Sequence, residues 1–210
     1  MDITWYGLSC FRMVERGKAS VVTDPYNGGL GLQLPKLRAD IVTISHEAPG
    51  HANRAIWPPA THLIEKPGEY EIGGVFVIGV AMYDPEDPDR HNTVFLYDFD
   101  GVSVLHLGDL DHIPTQADID TFGSVNVALV PVGGGKGLHA AQAAEVISLI
   151  EPEIVVPMHY QIPGCKLELD TLDRFLKVMG IGKIQSMPQL RVTSSGLGEQ
   201  TQVVILEPQQ

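Results

Sequence analysis

Two histidines five positions apart, His46 and His51, are the residues whose type and spacing most directly suggest chemistry in this chain. They follow residues 40–44, a short apolar run that predicts a buried strand. Because α/β proteins place ligand-binding groups at the carboxyl ends of strands, we expect both imidazoles to lie on a turn at such an end. Imidazole nitrogens are common metal ligands, so the segment 45–51 looks like half of a metal site.

The strands and helices that must position these residues are read from hydrophobic patterns. Strand patterns dominate the first half of the chain and helical patterns enter in the second. The predicted strands cover 3–6, 10–14, 19–23, 40–44, 62–65, 69–72, 75–80, 92–98, 102–107, 125–131, 154–157, 190–194 and 202–206. The predicted helices cover 115–122, 139–150 and 172–179. Loops are expected over 27–35 and 83–90, and tight turns at Gly73-Gly74 and Asp100-Gly101. This order predicts a mixed α/β class with two packed sheets and helices outside.

Composition limits the kinds of protein that this chain can be. Its 210 residues, 44% hydrophobic and 19% charged, suit one globular domain over 1–210. The formal net charge of −12 argues against nucleic acid and anionic membranes as partners, because their phosphates would be repelled. Metal cations and small molecules are compatible with that charge.

Cysteine usage and the absence of targeting patterns predict a cytoplasmic protein. The two cysteines, Cys10 and Cys165, form neither a CxxC pair nor a disulfide framework, which suits a reducing compartment. The first residues lack the basic and apolar regions of a signal peptide. No apolar run approaches the roughly 20 residues that a transmembrane helix needs.

Five segments in order along the chain carry a resemblance to a known family. They are Gly7-Leu8-Ser9-Cys10-Phe11, Thr23-Asp24-Pro25-Tyr26, the segment from Ser45 to His51, His106-Leu107-Gly108-Asp109, and Pro157-Met158-His159-Tyr160. Together they resemble the metallo-β-lactamase superfamily, in the branch related to ascorbate-6-phosphate lactonase. The resemblance implies a four-layer αββα sandwich and metal-dependent hydrolysis.

The resemblance also implies a set of metal ligands. In the family a first site takes motif histidines, a second takes further motif residues, and an aspartate bridges the two metals. By position, His46 and Asp109 belong to the first site, and His51, Asp109 and His159 belong to the second. We therefore expect His46 and Asp109 to act in catalysis as well as in metal binding.

Several positions depart from the family pattern. Ala48 and Gly50 stand where the family motif has a histidine and an aspartate, and Leu8 replaces a further histidine near the pocket. The missing third histidine of the first site could be supplied by His91, or by Asp84. The resemblance then implies one weakly held zinc ion at most, with manganese or iron as alternatives, or no metal at all.

Other polar residues have alternative interpretations. His106 alternates with apolar neighbours and is expected to face inward in a structural role. His112 is expected at the surface and Glu47 between the ligand positions, with a substitute ligand as the alternative for each. The glycine run 133–135 precedes a helix and could receive a phosphate, but it lacks the Lys-Ser/Thr of a P-loop, so a turn is expected. Neither cysteine has a visible base partner, which argues against a cysteine nucleophile.

Two functions follow from these residues. In the first, the protein is a hydrolase with a reduced, single-metal site, whose metal-bound hydroxide attacks an ester, lactone or phosphoester. In the second, it is an inactive binding or scaffold protein without metal, which holds a small metabolite or serves a homo-oligomer interface. The retained His46, His51, Asp109 and His159 favour the first, and the donorless Ala48 and Gly50 favour the second.

Overall fold

The computed structural model of this protein describes residues 1–84, 87, 91–194, 198 and 200–209. Thirteen strands and three α-helices are assigned within these residues. In chain order they are β1 (Asp2–Trp5), β2 (Phe11–Val14), β3 (Val21–Thr23), β4 (Ile41–Thr43), β5 (His62–Ile64), β6 (Gly68–Ile72), β7 (Val75–Tyr83), β8 (His91–Asp98), β9 (Ser103–His106), α1 (Gln116–Phe122), β10 (Val127–Pro131), α2 (Ala140–Ile150), β11 (Ile154–Met158), α3 (Leu172–Val178), β12 (Leu190–Arg191) and β13 (Gln202–Val203). A short 3₁₀ turn covers Gly28–Leu30.

The first sheet has the strand order β12-β1-β2-β3-β4-β5. Strands β3, β4 and β5 pair in parallel, so the ends of β3 and β4 lie side by side. Residues of β1 and β2 alternate between buried and half-buried, because one face of the sheet packs on the core and the other is partly open.

The second sheet has the strand order β13-β11-β10-β9-β8-β7-β6. Strands β9, β10 and β11 run parallel, whereas β6, β7 and β8 form antiparallel hairpins. All five residues of β10 are buried, as expected for a parallel strand that is covered on both faces. The carboxyl ends of β9 and β11 therefore open on the same edge of this sheet.

A continuous hydrophobic core fills the space between the two sheets. Its largest fully buried side chains include Trp5 and Phe11 from the first sheet and Phe95 and Tyr97 from the second. A buried hydrogen bond of 2.6 Å between Thr43 Oγ1 and the Tyr97 hydroxyl connects β4 to β8 across this core. This packing fixes how the strand ends of one sheet face those of the other.

The helices begin and end where local chemistry predicts. Thr115 caps α1, since its side chain accepts a hydrogen bond from the Asp118 backbone while Asp118 bonds back to the cap. Helix α2 buries one stripe of side chains and packs against α3. Among the described residues, no helix is both long enough and apolar enough to cross a membrane.

The predicted elements agree with the structure in type and order, and the differences lie at their ends. Strand β7 continues to Tyr83 and pairs there with His91, so the prediction of a loop from residue 83 was wrong at its first residue. Most of the remaining loop, residues 85, 86 and 88–90, lies outside the described residues. Helical spacing in α2 predicts a buried stripe of Ala140, Ala143, Ala144, Ile147 and Ile150. The structure buries Val146 in this stripe, and Ala144 is only half-buried.

Candidate metal centre

His46 and His51 lie on the turn that follows β4, as predicted. Their ring centroids are 4.2 Å apart. The turn closes on itself because the His51 and Ala52 backbone N–H groups both donate to the Ala48 carbonyl. His51 is buried and His46 is half-buried, so both imidazoles stand at the floor of a cleft rather than in bulk solvent.

Asp24, which follows β3, braces this turn from the neighbouring parallel strand. Its carboxylate accepts hydrogen bonds from the Ser45 backbone N–H at 2.7 Å and from the Ser45 hydroxyl at 2.6 Å. Its Oδ2 also lies 2.8 Å from His51 Nδ1. Asp24 has a left-handed backbone with φ of 39°, a conformation that is costly for a residue with a side chain and that clusters at functional sites.

These hydrogen bonds select which nitrogen of each imidazole is free. Burial alone would raise the pKa of Asp24, but the charge and hydrogen bond of His51, with smaller help from His106 and Ser45, lower it to about 2. The ionised Asp24 accepts a hydrogen bond from the protonated Nδ1 of His51, which leaves Nε2 of His51 available. Ser45 donates its only hydroxyl hydrogen to Asp24, so it accepts from His46 Nδ1 at 3.1 Å and leaves His46 Nε2 available as well.

Asp109 follows β9 at the edge of the second sheet. Its backbone N–H donates to Asn92 Oδ1 at 2.9 Å, and Asn92 Nδ2 donates to the Leu107 carbonyl at 2.8 Å. Between them Gly108 has φ of 61°, and a Cβ there would lie 2.3 Å from Asn92 Oδ1. A Cβ on Gly137 would likewise lie 2.3 Å from Asp109 Oδ1, so two glycines permit the close packing around this carboxylate.

His159 follows β11 and meets the first sheet. Its backbone N–H donates to the Leu8 carbonyl at 3.1 Å, and both residues have positive φ, 51° and 49°. The His159 ring centroid lies 5.2 Å from that of His51. Its Nδ1 lies 3.5 Å from Asp109 Oδ1.

The ligand atoms of His46, His51 and Asp109 all lie within 4.8 Å of one another. His159 is not part of this group but stands beside it through Asp109. Asp109 Oδ1 and His159 Nδ1 are buried, and neither has a hydrogen-bond partner. Two ligand atoms that are each about 2.1 Å from a tetrahedral ion lie about 3.4 Å apart, so the 3.5 Å between these two atoms suits a shared cation. The residues present therefore fit a metal ion.

The surroundings of the imidazoles also favour neutral ligands. Burial and the neighbouring His51 lower the pKa of His46 to about 4, although Asp24 and Asp109 oppose this. Burial lowers the pKa of His159 below its usual value, with Asp109 opposing. Burial would lower the pKa of His51 too, but Asp24 and Asp109 outweigh it and raise that pKa. A metal at this site therefore competes with a proton mainly at His51.

His91 and Asp84, the two predicted substitutes for a missing histidine, do not join the group of converging ligand atoms. Both line a small polar cleft together with His46, Asp109 and Asp111. His91 is exposed at the start of β8, where its ring lies 5.9 Å from that of Tyr83. Their part in metal binding stays a prediction.

The remaining polar candidates have other contacts. His106 is fully buried and its Nε2 lies 2.9 Å from the Ser9 carbonyl, in the structural role predicted from its alternation. His112 pairs with Asp111 at 2.7 Å. Glu47 is exposed and pairs with Arg54 at 2.7 Å. None of these three side chains belongs to the group formed by His46, His51 and Asp109.

Sequence reasoning missed the roles of Asp24 and Asn92. In the sequence Asp24 belongs to the segment Thr23-Asp24-Pro25-Tyr26 that carries the family resemblance, without a role of its own. The available signal is an acidic residue at the end of a predicted strand. Asn92 gave no local signal, because its partners Leu107 and Asp109 are brought to it by strand pairing.

A cavity of about 570 Å³ opens over the converging histidines and Asp109. This volume lies within the range of small-molecule sites. Apolar groups make up much of the wall, and Lys136 is the one lysine or arginine among the described lining residues. The glycine run 133–135 turns beside this cavity, with Gly135 in its lining.

The fold and site define a class of protein, and comparison with known proteins agrees. The chain belongs to the beta-lactamase superfamily, since the profile described as "Beta-lactamase superfamily domain" matches residues 2–159. The two sheets with their three described helices match the metallo-β-lactamase fold of solved structures.

A solved structure from Thermotoga maritima, titled as a proposed Zn-dependent hydrolase of the metallo-beta-lactamase superfamily, is 32% identical with a TM-score of 0.81. The match covers 98% of this chain and 97% of that one. A metallo hydrolase from Ignicoccus hospitalis has a TM-score of 0.67 over 91% of this chain and 99% of that one, and at 22% identity it shows the fold alone.

Curated relatives include proteins from Pyrococcus abyssi and Thermococcus kodakarensis. A UPF0173 protein of Pyrococcus abyssi is 28% identical over 184 residues, which cover 78% of this chain and 85% of the relative. A UPF0173 metal-dependent hydrolase of Thermococcus kodakarensis is 25% identical over 175 residues, covering 69% of this chain and 78% of the relative. This chain is therefore a member of a family of metallo-β-lactamase-fold, metal-dependent hydrolases.

Proposed function

We propose that this protein is a hydrolase whose His46, His51 and Asp109 hold a single zinc ion, with His159 completing or supporting the site. The observation that carries the proposal is the convergence of these ligand atoms within 4.8 Å at the floor of the cavity. Two or three imidazoles and one carboxylate are a donor set that zinc accepts, and iron and manganese are the next candidates.

A bound metal ion would supply a Lewis acid that polarises a carbonyl or phosphoryl oxygen and lowers the pKa of a water molecule from about 15.7 towards about 7. The substrates that suit this chemistry are an ester, a lactone or a phosphoester. Asp24 holds His51 in the tautomer that leaves Nε2 free, and Ser45 does the same for His46.

Asp109 has a second task in this proposal. Its Oδ1 faces His159 without a hydrogen bond, and burial makes an isolated carboxylate costly. The carboxylate is therefore placed to hold a cation or to accept a proton as water attacks. Neutral His159, with its lowered pKa, stands on the other side as a hydrogen-bond partner for the reacting group.

The test is the metal content of protein purified without chelator, followed by zinc and manganese titration of chelator-treated protein. We expect about one equivalent of metal per chain, and we expect His51→Ala to abolish binding. His62→Ala is the matched control, because His62 is exposed on β5 and does not line the cavity. Turnover of an aryl ester, a lactone and a phosphodiester should follow metal content.

The donorless positions Ala48 and Gly50 favour a second function, an inactive binding or scaffold protein. Ala48 lines the cavity beside His46 without a ligand atom. A folded protein that binds no metal in the titration would overturn the hydrolase and support this alternative. Two equivalents per chain would overturn the single-metal site.

A further inference from the structure

We propose that three leucines beside the metal-binding residues form a subsite for the uncharged aliphatic acyl chain of an ester substrate. The leucine wall consists of Leu30, Leu167 and Leu169, all of which line the same cavity as His51 and Asp109. This inference rests on the proposed hydrolase function and names the substrate class of that site.

Exposure distinguishes the leucine wall from the charged lining residues outside the metal centre. Leu30, Leu167 and Leu169 are half-buried, so each presents part of its side chain to the cavity. Glu47, Lys136 and Glu168, the charged lining residues other than the buried Asp109, are exposed. A charged chain on the leucine wall would lose its hydration without a polar partner, whereas a polar leaving group can stay among the exposed charges.

The apolar surface reaches the metal-binding residues at Gly50. A Cβ built on Gly50 would meet only Leu30 Cδ1 at 3.7 Å and Leu8 Cδ1 at 3.9 Å, both ordinary contacts. Leu8 is fully buried behind this point. Gly50, the residue before His51, therefore leaves a space lined by leucine methyl groups. In this proposal the first carbon atoms of the acyl chain, next to the ester carbonyl, lie in that space.

Backbone hydrogen bonds hold the leucine wall in place. The Lys166 N–H donates to the Leu30 carbonyl at 2.9 Å, which ties the loop before α3 to the 3₁₀ turn. Within that loop Gln161 Nε2 donates to the Cys165 carbonyl at 3.1 Å. The Asp170 N–H donates to the Gly133 carbonyl at 2.7 Å. Because the wall is already ordered, a chain that binds there incurs little further ordering cost.

The reaction is ordinary ester hydrolysis. Water adds to the carbonyl carbon, the bond from that carbon to the alkoxy oxygen breaks, and a proton from water ends on the alcohol. The products are a carboxylic acid, whose chain lies on the leucine wall, and a polar alcohol. No oxidant or further reactant is needed.

Chain-length dependence of binding tests the subsite directly. We would titrate the protein as purified with 1-butanol, 1-hexanol and 1-octanol and follow the dissociation constant by NMR. Each added methylene should tighten binding about fourfold, so octanol should bind about a hundredfold or more tighter than butanol. Equal affinities for the three alcohols would overturn the subsite.

Variants locate the binding to the wall. Leu169→Asn and Leu30→Asn should each weaken octanol binding at least tenfold and butanol binding less, while Leu149→Asn should change neither. Leu149 is an exposed leucine of α2 that does not line the cavity. Thermal unfolding of each variant shows that it is folded, and unchanged octanol binding in both wall variants would overturn the proposal.

Two substitutions at Gly50, one charged and one apolar, form a matched pair of variants. Gly50→Asp places a charge between Leu8 and Leu30 and should weaken octanol binding at least tenfold. Gly50→Ala adds only the Cβ that the space accommodates and should change binding less than threefold. Equal effects of the two substitutions would show that this corner does not receive the chain.

Hydrolysis separates this inference from the proposed function. With zinc bound, kcat/KM for p-nitrophenyl esters should rise from acetate to octanoate, and Leu169→Asn should flatten that rise. Leu149→Asn, which lies outside the cavity, should leave both the rise and the acetate turnover unchanged. Octanol binding without hydrolysis of any ester would keep the subsite and overturn the hydrolase. Equal turnover of acetate and octanoate would keep the hydrolase and overturn the subsite.

Discussion

The two halves of the candidate metal centre differ in how completely their polar atoms are paired. In the first-sheet half, which comprises Asp24, Ser45, His46 and His51, hydrogen bonds fix both imidazoles. In the second-sheet half, which comprises Asp109 and His159, the two facing atoms are buried 3.5 Å apart without a hydrogen-bond partner. The first half is thus held by hydrogen bonds within the protein, whereas two buried polar atoms of the second half lack a hydrogen-bond partner.

This difference shows how the two imidazoles can stay oriented beside positions 48 and 50, which carry no ligand atom. The bracing by Asp24 does not involve Ala48 or Gly50, so their lack of side-chain donors leaves His46 and His51 oriented. Strained backbones at Leu8, Asp24 and His159 lie on both sides of the site, which is where strain is retained when geometry has a function.

The largest effect is expected in the second-sheet half. Asp109→Asn removes the negative charge and a ligand, so zinc affinity should fall by at least about 100-fold, beyond the 10–100-fold cost of losing an outer partner. Calorimetric zinc titration measures this. Asp120→Asn, an exposed carboxylate on α1, is the control. Unchanged affinity in Asp109→Asn would show that the unpaired atoms do not mark a cation site.

A somewhat smaller fall in zinc affinity is expected when the hydrogen bond between Asp24 and His51 in the first-sheet half is altered. In Asp24→Asn the side-chain amide would oppose the His51 Nδ1 proton and favour the tautomer that blocks Nε2, so zinc affinity should fall about 10–100-fold. Asp40→Asn is the control, since the exposed Asp40 has similar partners at Ser20. If both variants bind zinc equally well, Asp24 does not orient the histidine.

Adding a ligand atom at position 48 should raise the zinc affinity, whereas the two preceding substitutions lower it. Ala48→His places an imidazole two positions from His46 in the cavity lining, and zinc affinity should rise about tenfold. Ala48→Phe adds a ring of similar size without a ligand atom and should give no gain. Equal behaviour of the two variants in the zinc titration would mean that position 48 does not face the ion.

The hydrogen bonds that Asn92 makes to Asp109 and Leu107 should matter more for the stability of the protein than for metal binding. Asn92→Ala leaves the Asp109 N–H and the Leu107 carbonyl without their partner and should lower the free energy of unfolding by about 1–3 kcal/mol. Urea denaturation measures the loss. Asn53→Ala, which removes one half-buried hydrogen bond to Tyr26, should cost less; the reverse order would contradict the argument.

The last effect is confined to acidic pH. The pKa of Asp24 is lowered to about 2, against about 3.9 for an unperturbed aspartate. Its carboxylate therefore contributes about 2–3 kcal/mol of stability that is complete above about pH 5 and is lost as the pH falls towards about 2. Urea denaturation from pH 5 to pH 2.5 with chelator present should show a steeper decline for the native protein than for Asp24→Asn. Parallel declines would be inconsistent with a lowered pKa.

Much of the fold could be predicted from local patterns. Alternating residues predict β1 and β2, and apolar runs predict β10 and β11. Glycine pairs predict the turns between hairpin strands. Strand ends were less predictable, as at Tyr83, because pairing with His91 across a hairpin extends β7 beyond its own pattern. The inclusion of Val146 in the buried stripe of α2 likewise depends on what packs against the helix.

The sequence by itself determined the class of protein and predicted His46, His51, Asp109 and His159 as candidate metal ligands, because short motifs and strand patterns are local properties. Only the tertiary structure decided that His46 rather than His159 groups with His51 and Asp109, that Asp24 and Asn92 brace the site, and that leucines border it. The physical reason is that the donors come from strand ends of two different sheets. Their separation is set by how the hydrophobic core packs those sheets together, and no local segment encodes that packing.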